Sequence, residues 1–255
     1  MSRVQVLVAA MHQTDHSLPE KMNLRCDAII GNQCDHNAVE TVPYGEHSVM
    51  YLHFAERGLA LNRNNALIHA NAEFCLLADD DMVYCDDYVS IVENAFDERP
   101  DADVLIFNII EPVPTRYIIK KEQRVNYLNY LRYGSVRIAF RLRSIRENAI
   151  SFNQCFGAGS ARGFGEDNLF LTACLKNKLR VVAVPLALAE LTEERESTWF
   201  KGYDAKYLNN KGLLFRAVSR RWYPLLCLQD ALRRHKKYEM SFIAAFRAMM
   251  NAKYE

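Results

Sequence analysis

No apolar run in this 255-residue chain approaches the length of a membrane-crossing helix. The longest, Val181 to Ala189, is interrupted by Pro185 and falls far short of the roughly 20 residues a span requires. The amino-terminal stretch Val4 to Met11 is too short and too soon polar for a signal peptide. The expectation is a cytoplasmic protein, soluble or peripheral on the inner face of the membrane. Seven cysteines occur, an odd number, and none forms a CxxC pair. That fits a reducing compartment better than a disulfide or zinc framework. His12, His16, His36, His47, His53, His69 and His235 read as surface or core residues. Glycine is sparse, and the stretch after the first strand, Ala9 to Asp15, has none. A sugar nucleotidyltransferase would carry a Gly-rich basic loop there. The formal net charge is +1, which gives no global field for nucleic acid. Internal repeats and low-complexity segments are absent.

Apolar runs and helical patterns alternate along the first half, which predicts an α/β fold with a mostly parallel central sheet flanked by helices. Strands are expected over 3–10, 27–31, 48–53, 74–78, 103–110 and 180–184. Helices are expected over 56–73, from a cap at Asp86 or Asp87 to Phe96, and over 166–178. The alternation of apolar and basic residues from Val136 to Arg143 reads as a half-exposed strand with Arg137, Arg141 and Arg143 on one face. Such a face is either a solvated sheet edge or a basic wall toward an anionic ligand. Cys75, Cys155 and Cys174 sit among apolar neighbours and read as small hydrophobes.

The run Phe74 to Ala78 ends abruptly in Asp79-Asp80-Asp81. Ligands of open α/β sheets bind beyond the carboxyl ends of the strands, so these acids face the expected ligand crevice. In extended chain Asp79 and Asp81 share a face, where like charges raise each other's pKa. A hard divalent cation relieves that repulsion, and magnesium or manganese commonly binds one or two carboxylates together with substrate phosphates. Capping of a following helix is the plain alternative. Further on, Glu166-Asp167 opens a helix after the glycine-rich stretch 157–165. The pair is either ordinary N-terminal acid or a general base at a pocket mouth. Arg57 and Arg63 bracket a helix start just upstream of the acidic strand, a ready site for an anion.

Taken in order, these three segments resemble the family 2 glycosyltransferases of the GT-A fold, and most nearly bacterial members that build capsular or other surface polysaccharides. Arg57-Gly58-Leu59 with Arg63-Asn64 matches the family's helix start, Asp79-Asp80-Asp81 its Asp-x-Asp motif, and Glu166-Asp167 its late acidic pair. The resemblance covers about 3–205. It implies transfer of a sugar from a nucleoside diphosphate sugar, UDP-sugars favoured, to a hydroxyl of a glycan or lipid-linked acceptor with inversion. Mn2+ or Mg2+ would be held by Asp81 with Asp79, and Asp79 and Asp80 would contact the nucleotide sugar. Asp167 would be the base, with Glu166 second. Two stretches depart from the pattern. The base-reading segment is Gly31-Asn32-Gln33-Cys34-Asp35, where Asn32, Gln33 or Asp35 would read the base. The usual late histidine ligand is replaced near Glu196-Ser197-Thr198, where Glu193 would supply an oxygen. A catalytically degenerate nucleotide- or glycan-binding subunit is the alternative these departures raise.

The expected organisation is a glycosyltransferase-like domain over 1–205, with a nucleotide part to about 110 and an acceptor part over 111–205, followed by a helical tail over 206–255. Charge divides along the same line: residues 211–255 carry net +7 and the remainder net −6. In the tail, Arg220-Arg221-Trp222-Tyr223 and Arg233-Arg234-His235-Lys236-Lys237 flank an apolar stretch. That composition suits an interfacial helix on anionic lipid as well as a helical pair packed on the domain.

Overall fold

The computed structural model describes residues 2–192 and 202–253. The strands are β1 (Val4–Met11), β2 (Asp27–Gln33), β3 (Ala38–Tyr44), β4 (His47–Phe54), β5 (Phe74–Asp79), β6 (Met82–Tyr84), β7 (Val104–Ile110), β8 (Gln123–Arg124), β9 (Ile138–Arg141) and β10 (Val181–Leu191). The helices are α1 (Leu18–Lys21), α2 (Leu59–His69), α3 (Tyr88–Asp97), α4 (Leu142–Glu147), α5 (Glu166–Lys176), α6 (Ala205–Val218), α7 (Tyr223–Arg234) and α8 (Phe242–Met250). All strands join one sheet in the order β3-β4-β2-β1-β5-β9-β7-β10-β6, with β8 added to β10. The pairs β4–β2, β2–β1, β1–β5 and β7–β10 are parallel. The fold is α/β, as the pattern of apolar runs predicts.

Strand periodicity divides the core in two. Val4, Val6 and Val8 of β1 enter one apolar cluster with Phe74, Leu76 and Ala78 of β5. Leu7, Cys75 and Leu77 enter the other, beneath α2 and α5. Successive side chains of a strand alternate faces, so Asp79 emerges on the α2–α5 side. That alternation aims the first carboxylate at the site described below.

Four expectations change. Ala38–Tyr44 forms an additional strand, β3, antiparallel to β4 at the sheet edge. Most of it is exposed, and it carries Pro43, tolerated at an edge. The helix over 56–73 shortens to α2: Gly58 at φ 135° sets its start, and Ala70 turns extended at its end. The basic strand near 136–143 is neither a solvated edge nor a ligand-facing wall. Its core, β9, lies between β5 and β7 and is buried. Arg137 turns inward, donating from Nε to the Phe107 carbonyl at 2.6 Å and from Nη1 to the Tyr117 carbonyl at 2.8 Å. Arg141 donates to the carbonyls of Ala102 and Phe96, and only Arg143, on α4, stands in solvent. Cys155 is exposed and not a core hydrophobe.

β10 runs parallel to β7 and then antiparallel to β6, with register shifts between Ala183 and Ala189. Pro185, which has no N–H to give the ladder, lies within that break. The tail folds back as α6–α8 around its own small core of Leu208, Phe215, Cys227, Ala231, Tyr238, Ala245 and Met249. Gly212 lets α6 meet α8 closely, since a Cβ there would stand 2.0 Å from the Met249 carbonyl oxygen. Lys211 pairs with Asp230 at 3.2 Å inside this unit, and burial pulls the lysine down to about 8. The tail therefore packs on the domain through one side. Trp222, Leu225 and Leu232 remain exposed on the other.

Candidate active site

The site forms where β5 ends and α2 and α5 converge. Arg63 of α2 is 1% exposed and reaches two acids far apart in sequence. Its Nη2 donates to Asp79 Oδ1 at 2.7 Å, and its Nη1 donates to Glu166 Oε1 at 2.9 Å. Its guanidinium also lies over the Phe152 ring, 5.7 Å from the centroid. Burial acts to lower the Arg63 pKa, but Asp79, Glu166 and Asp167 together hold it above the ordinary value. The guanidinium is a fixed cation locking the strand end to the start of α5.

Glu166 is buried, and a Cβ on Gly157 would stand 3.0 Å from its Oε2. Asp167, the next residue, lines a cavity of about 320 Å³. Its Oδ1 accepts the Asn168 backbone N–H at 2.7 Å. Loss of solvation, then the neighbouring Glu166 charge, raise its pKa from 3.8 to about 7. A carboxyl poised there has the affinity a general base needs near neutral pH. The same cavity is lined by Asp79, Leu59, Arg116, Arg132, Tyr133 and Phe164, among others.

The loop before α5 is held by the tail. Gly165 adopts φ 101°, and a Cβ there would meet Leu214 of α6 at 2.7 Å. Phe164 stacks on Tyr207 of α6 with centroids 5.0 Å apart. Across the cavity, the Leu59 N–H donates to the Ala158 carbonyl at 2.9 Å. Gln33 Oε1 accepts the Gly58 N–H at 2.8 Å, fixing the start of α2 to the end of β2.

The other sequence-predicted residues are distributed around this centre. Asp79 and Asp81 do not share a face as expected, because the chain turns at 80–81 between β5 and β6. Asp79 opens on the main cavity, while Asp80 and Asp81 line a second one of about 270 Å³ with Lys21 and Thr192. Asp80 accepts from Gln13 Nε2 at 3.2 Å. The Asp81 carbonyl accepts from the Thr192 N–H at 3.2 Å. All three side chains offer hard carboxylate oxygens, the donor type of Mg2+ and Mn2+. They fit such an ion bound through one or two carboxylates and completed by phosphate oxygens. Arg57 is exposed ahead of α2 and donates to the Cys34 carbonyl at 3.2 Å. Asp35 is exposed and contacts His36. Asn32 is buried, with its amide committed to the Gln13 backbone and to His53 Nδ1. Glu193 and the 196–198 stretch lie outside the described residues.

Gln13, Arg116 and Arg132 join the site without having been legible in the sequence. Gln13 reaches Asp80 through a long-range side-chain hydrogen bond that no local pattern encodes, and Gln33, expected to read the base, accepts the Gly58 N–H. Arg116 and Arg132 sit in the irregular 111–137 region, where no motif precedes them. Arg132 covers the Tyr117 ring at 4.6 Å.

Comparison with solved structures finds this fold in proteins solved with bound nucleotides or nucleotide sugars. The S. aureus TarS 1-349 structure in complex with UDP-GlcNAc aligns at TM-score 0.65 and 14% identity, covering 96% of this chain and 90% of that one. TarS 1-349 with UDP aligns at 0.61 and 17%, covering 96% and 89%. The mannosyltransferase PcManGT from Pyrobaculum calidifontis, in complex with GDP-Man and Mn2+, aligns at 0.55 and 14%, covering 98% and 73%. At these identities the likeness is one of fold. No curated protein sequence matches the chain. Residues 34–166, just over half of the chain, match the glycosyl transferase family 2 profile, and the protein belongs to that family.

Proposed function

We propose that this protein transfers a sugar from a nucleoside diphosphate sugar to a hydroxyl of a glycan or lipid-linked acceptor, with inversion, in bacterial surface polysaccharide synthesis. The carrying observation is the convergence of Asp79, Glu166 and Asp167 on one cavity at the carboxyl end of β5, the first two held by the buried Arg63. The nucleotide part is the first half of the chain and the acceptor part about 111–205.

Asp167 is the base. It faces the cavity, its raised pKa suits proton uptake near neutrality, and it takes the acceptor hydroxyl proton as the oxygen attacks the anomeric carbon. The displaced diphosphate leaves from the opposite face, so a single displacement inverts the centre. Glu166 serves as a positioning residue, because its carboxylate is spent on Arg63. Arg63 in turn orients Asp79 toward the donor sugar or ribose. Arg57 ahead of α2 and Asp80 after β5 complete the donor wall. Asp81, with Asp79 or Asp80, would hold Mn2+ or Mg2+, which would neutralise charge on the leaving diphosphate. The PcManGT complex with Mn2+ and the TarS complexes with UDP and UDP-GlcNAc support the metal and the UDP preference. A lipid-linked acceptor is supported by the outer side of α7, where Trp222, Leu225 and Leu232 are exposed beside Arg221, Arg233 and Lys236.

The test is calorimetric binding of UDP, GDP and CMP, each with and without Mn2+, on the native chain and on Asp81→Ala. Mn2+-dependent binding of UDP that disappears in the variant is the expected result. If no nucleotide binds under any condition, the transferase reading fails and a degenerate subunit takes its place.

A further inference from the structure

The sheet builds a second cluster of ligating side chains at the carboxyl ends of β2 and β4, on the same edge of the sheet as the acids but across β1 from β5. His53 of β4 lies beside Asn32 of β2 in the parallel register and beside Ala38 of β3 in the antiparallel one. The connection between those two neighbours is 33–37. It must therefore pass over His53, and it carries Cys34 and His36 at alternate positions. Three residues with no metal spacing in sequence thus come together. One ligand atom from each of Cys34, His36 and His53 lies within 4.8 Å of the other two. Cys34 and His53 are buried, while His36 is exposed.

The distances suit a tetrahedral centre. With Zn–S about 2.3 Å and Zn–N about 2.0–2.1 Å, a tetrahedral angle sets S···N near 3.6 Å. Cys34 Sγ stands 3.7 Å from His36 Nδ1. The imidazoles of His36 and His53 stack with centroids 5.2 Å apart, and since a metal binds in the plane of an imidazole, the exposed His36 ring turns on loading to bring its Nδ1 to the shared ion. An outer support is present too. Glu40 Oε1 contacts His53 Nε2 at 3.1 Å and His16 Nε2 at 2.9 Å. A carboxylate on the distal nitrogen of a histidine is the usual way a metal-binding imidazole is oriented and made more basic.

We propose that Cys34, His36 and His53 form a transition-metal site of the Zn2+ class, distinct from the carboxylate site, with water in the fourth position. Thiol and imidazole donors select zinc-like ions over Mg2+ and Mn2+, which prefer oxygen. Glu40 holds the Nε2 proton of His53, leaving Nδ1 as its ligand atom. Loading displaces the hydrogen bond that Asn32 Nδ2 now donates to that nitrogen. It also releases the Cys34 thiol proton to solvent. The His36 proton now shared with Asp35 at Nδ1 is lost there, and the neutral ring carries its proton on Nε2. The ion ties the turn after β2 to β4. Arg57 already holds the same turn through the Cys34 carbonyl.

Co2+ is the probe, added to the reduced full-length protein in excess Mg2+ and followed by absorption. The expected result is one equivalent bound with a thiolate-to-cobalt charge-transfer band that Zn2+ removes. Cys34→Ser abolishes the band. His36→Ala changes a solvent-exposed side chain and leaves the fold intact, and it weakens Co2+ binding. Glu40→Gln weakens it about 10- to 100-fold, as loss of an outer support does. Asp81→Asn leaves the band unchanged, which separates this site from the donor-binding metal. Absence of the band in the native chain, or its persistence in Cys34→Ser, overturns the proposal.

Discussion

Replacing Asp167 by Asn removes one proton-accepting group and should leave traces in both rate and stability. The asparagine oxygen can still accept the Asn168 N–H that now reaches Oδ1, so local backbone structure persists. It cannot accept the acceptor hydroxyl proton, and transfer should fall by about 10²- to 10⁴-fold, the usual worth of a general base. Donor binding should be unchanged, since Asp79 and Arg63 are untouched. The stability effect follows from the carboxyl itself. Its pKa is about 7 in the fold against 3.8 ordinarily. The folded state therefore holds more protons than the unfolded one across that window, and stability falls as pH rises through it, levelling above about 7. At about 1.36 kcal/mol per pH unit, the ceiling between about pH 5 and pH 7 is on the order of 2–3 kcal/mol. Asp167 borders an open cavity, and solvent screening reduces this to about 1 kcal/mol. For a chain of this size that corresponds to about 2–4 °C in Tm. Thermal unfolding at about pH 5 and about pH 8 should show the Asn variant gaining by that amount at the higher pH, while wild-type turnover rises with pH to a plateau above about 7. A variant that keeps wild-type turnover, or a thermal advantage that is the same at both pH values, would refute the assignment.

Arg63→Met should cost about 3–5 kcal/mol in urea unfolding, because Asp79 and Glu166 lose their buried counter-ion; a loss well under 1 kcal/mol would mean the clamp is dispensable. Gly165→Ala forces a left-handed residue and a Cβ against Leu214, for about 1–3 kcal/mol and a lower kcat. Adding Leu214→Ala should return part of that kcat, and failure of the rescue would show that the contact does not shape the loop. Trp222→Ala with Leu225→Ala should reduce sedimentation with phosphatidylglycerol vesicles while leaving UDP binding intact; equal sedimentation would mean that α7 is not the contact. Cys34→Ser should abolish the cobalt thiolate band without changing Mn2+-dependent nucleotide binding.

The parts of the fold that repeat locally could be read from the chain. β1, β2, β4, β5 and β7 announce themselves as apolar runs, and Asp79 falls on the ligand side because strand alternation requires it. Edge strand β3 was missed because its residues are mostly exposed and include Pro43, leaving little apolar signal to detect. The 136–143 stretch misled for the opposite reason. Alternating Arg residues look the same whether they face water or cap interior carbonyls, and Arg137 does the latter. Glu166-Asp167 was legible as a pair, but the division of labour between them was not. It depends on Arg63, 103 residues away, claiming Glu166 and leaving Asp167 to the cavity. The Cys34, His36 and His53 grouping is likewise written in strand register and not in spacing.

The contact between Gly165 and Leu214 has a consequence for how the protein matures. The loop that presents Glu166 and Asp167 is walled by α6, and α6 is braced by α8 through Gly212 and Met249. Chains emerge from the ribosome amino terminus first and fold in that order. The parallel strands β1, β2, β4 and β5 can therefore pair well before the last helices exist. Until those helices arrive, Phe164 has no Tyr207 to stack on and Gly165 has no neighbour to fix it. The amino-terminal strands of the sheet are an early product of synthesis, whereas a competent cavity waits for α6 and α8, and a nascent chain stalled before α8 would carry the full set of acids without the geometry to use them.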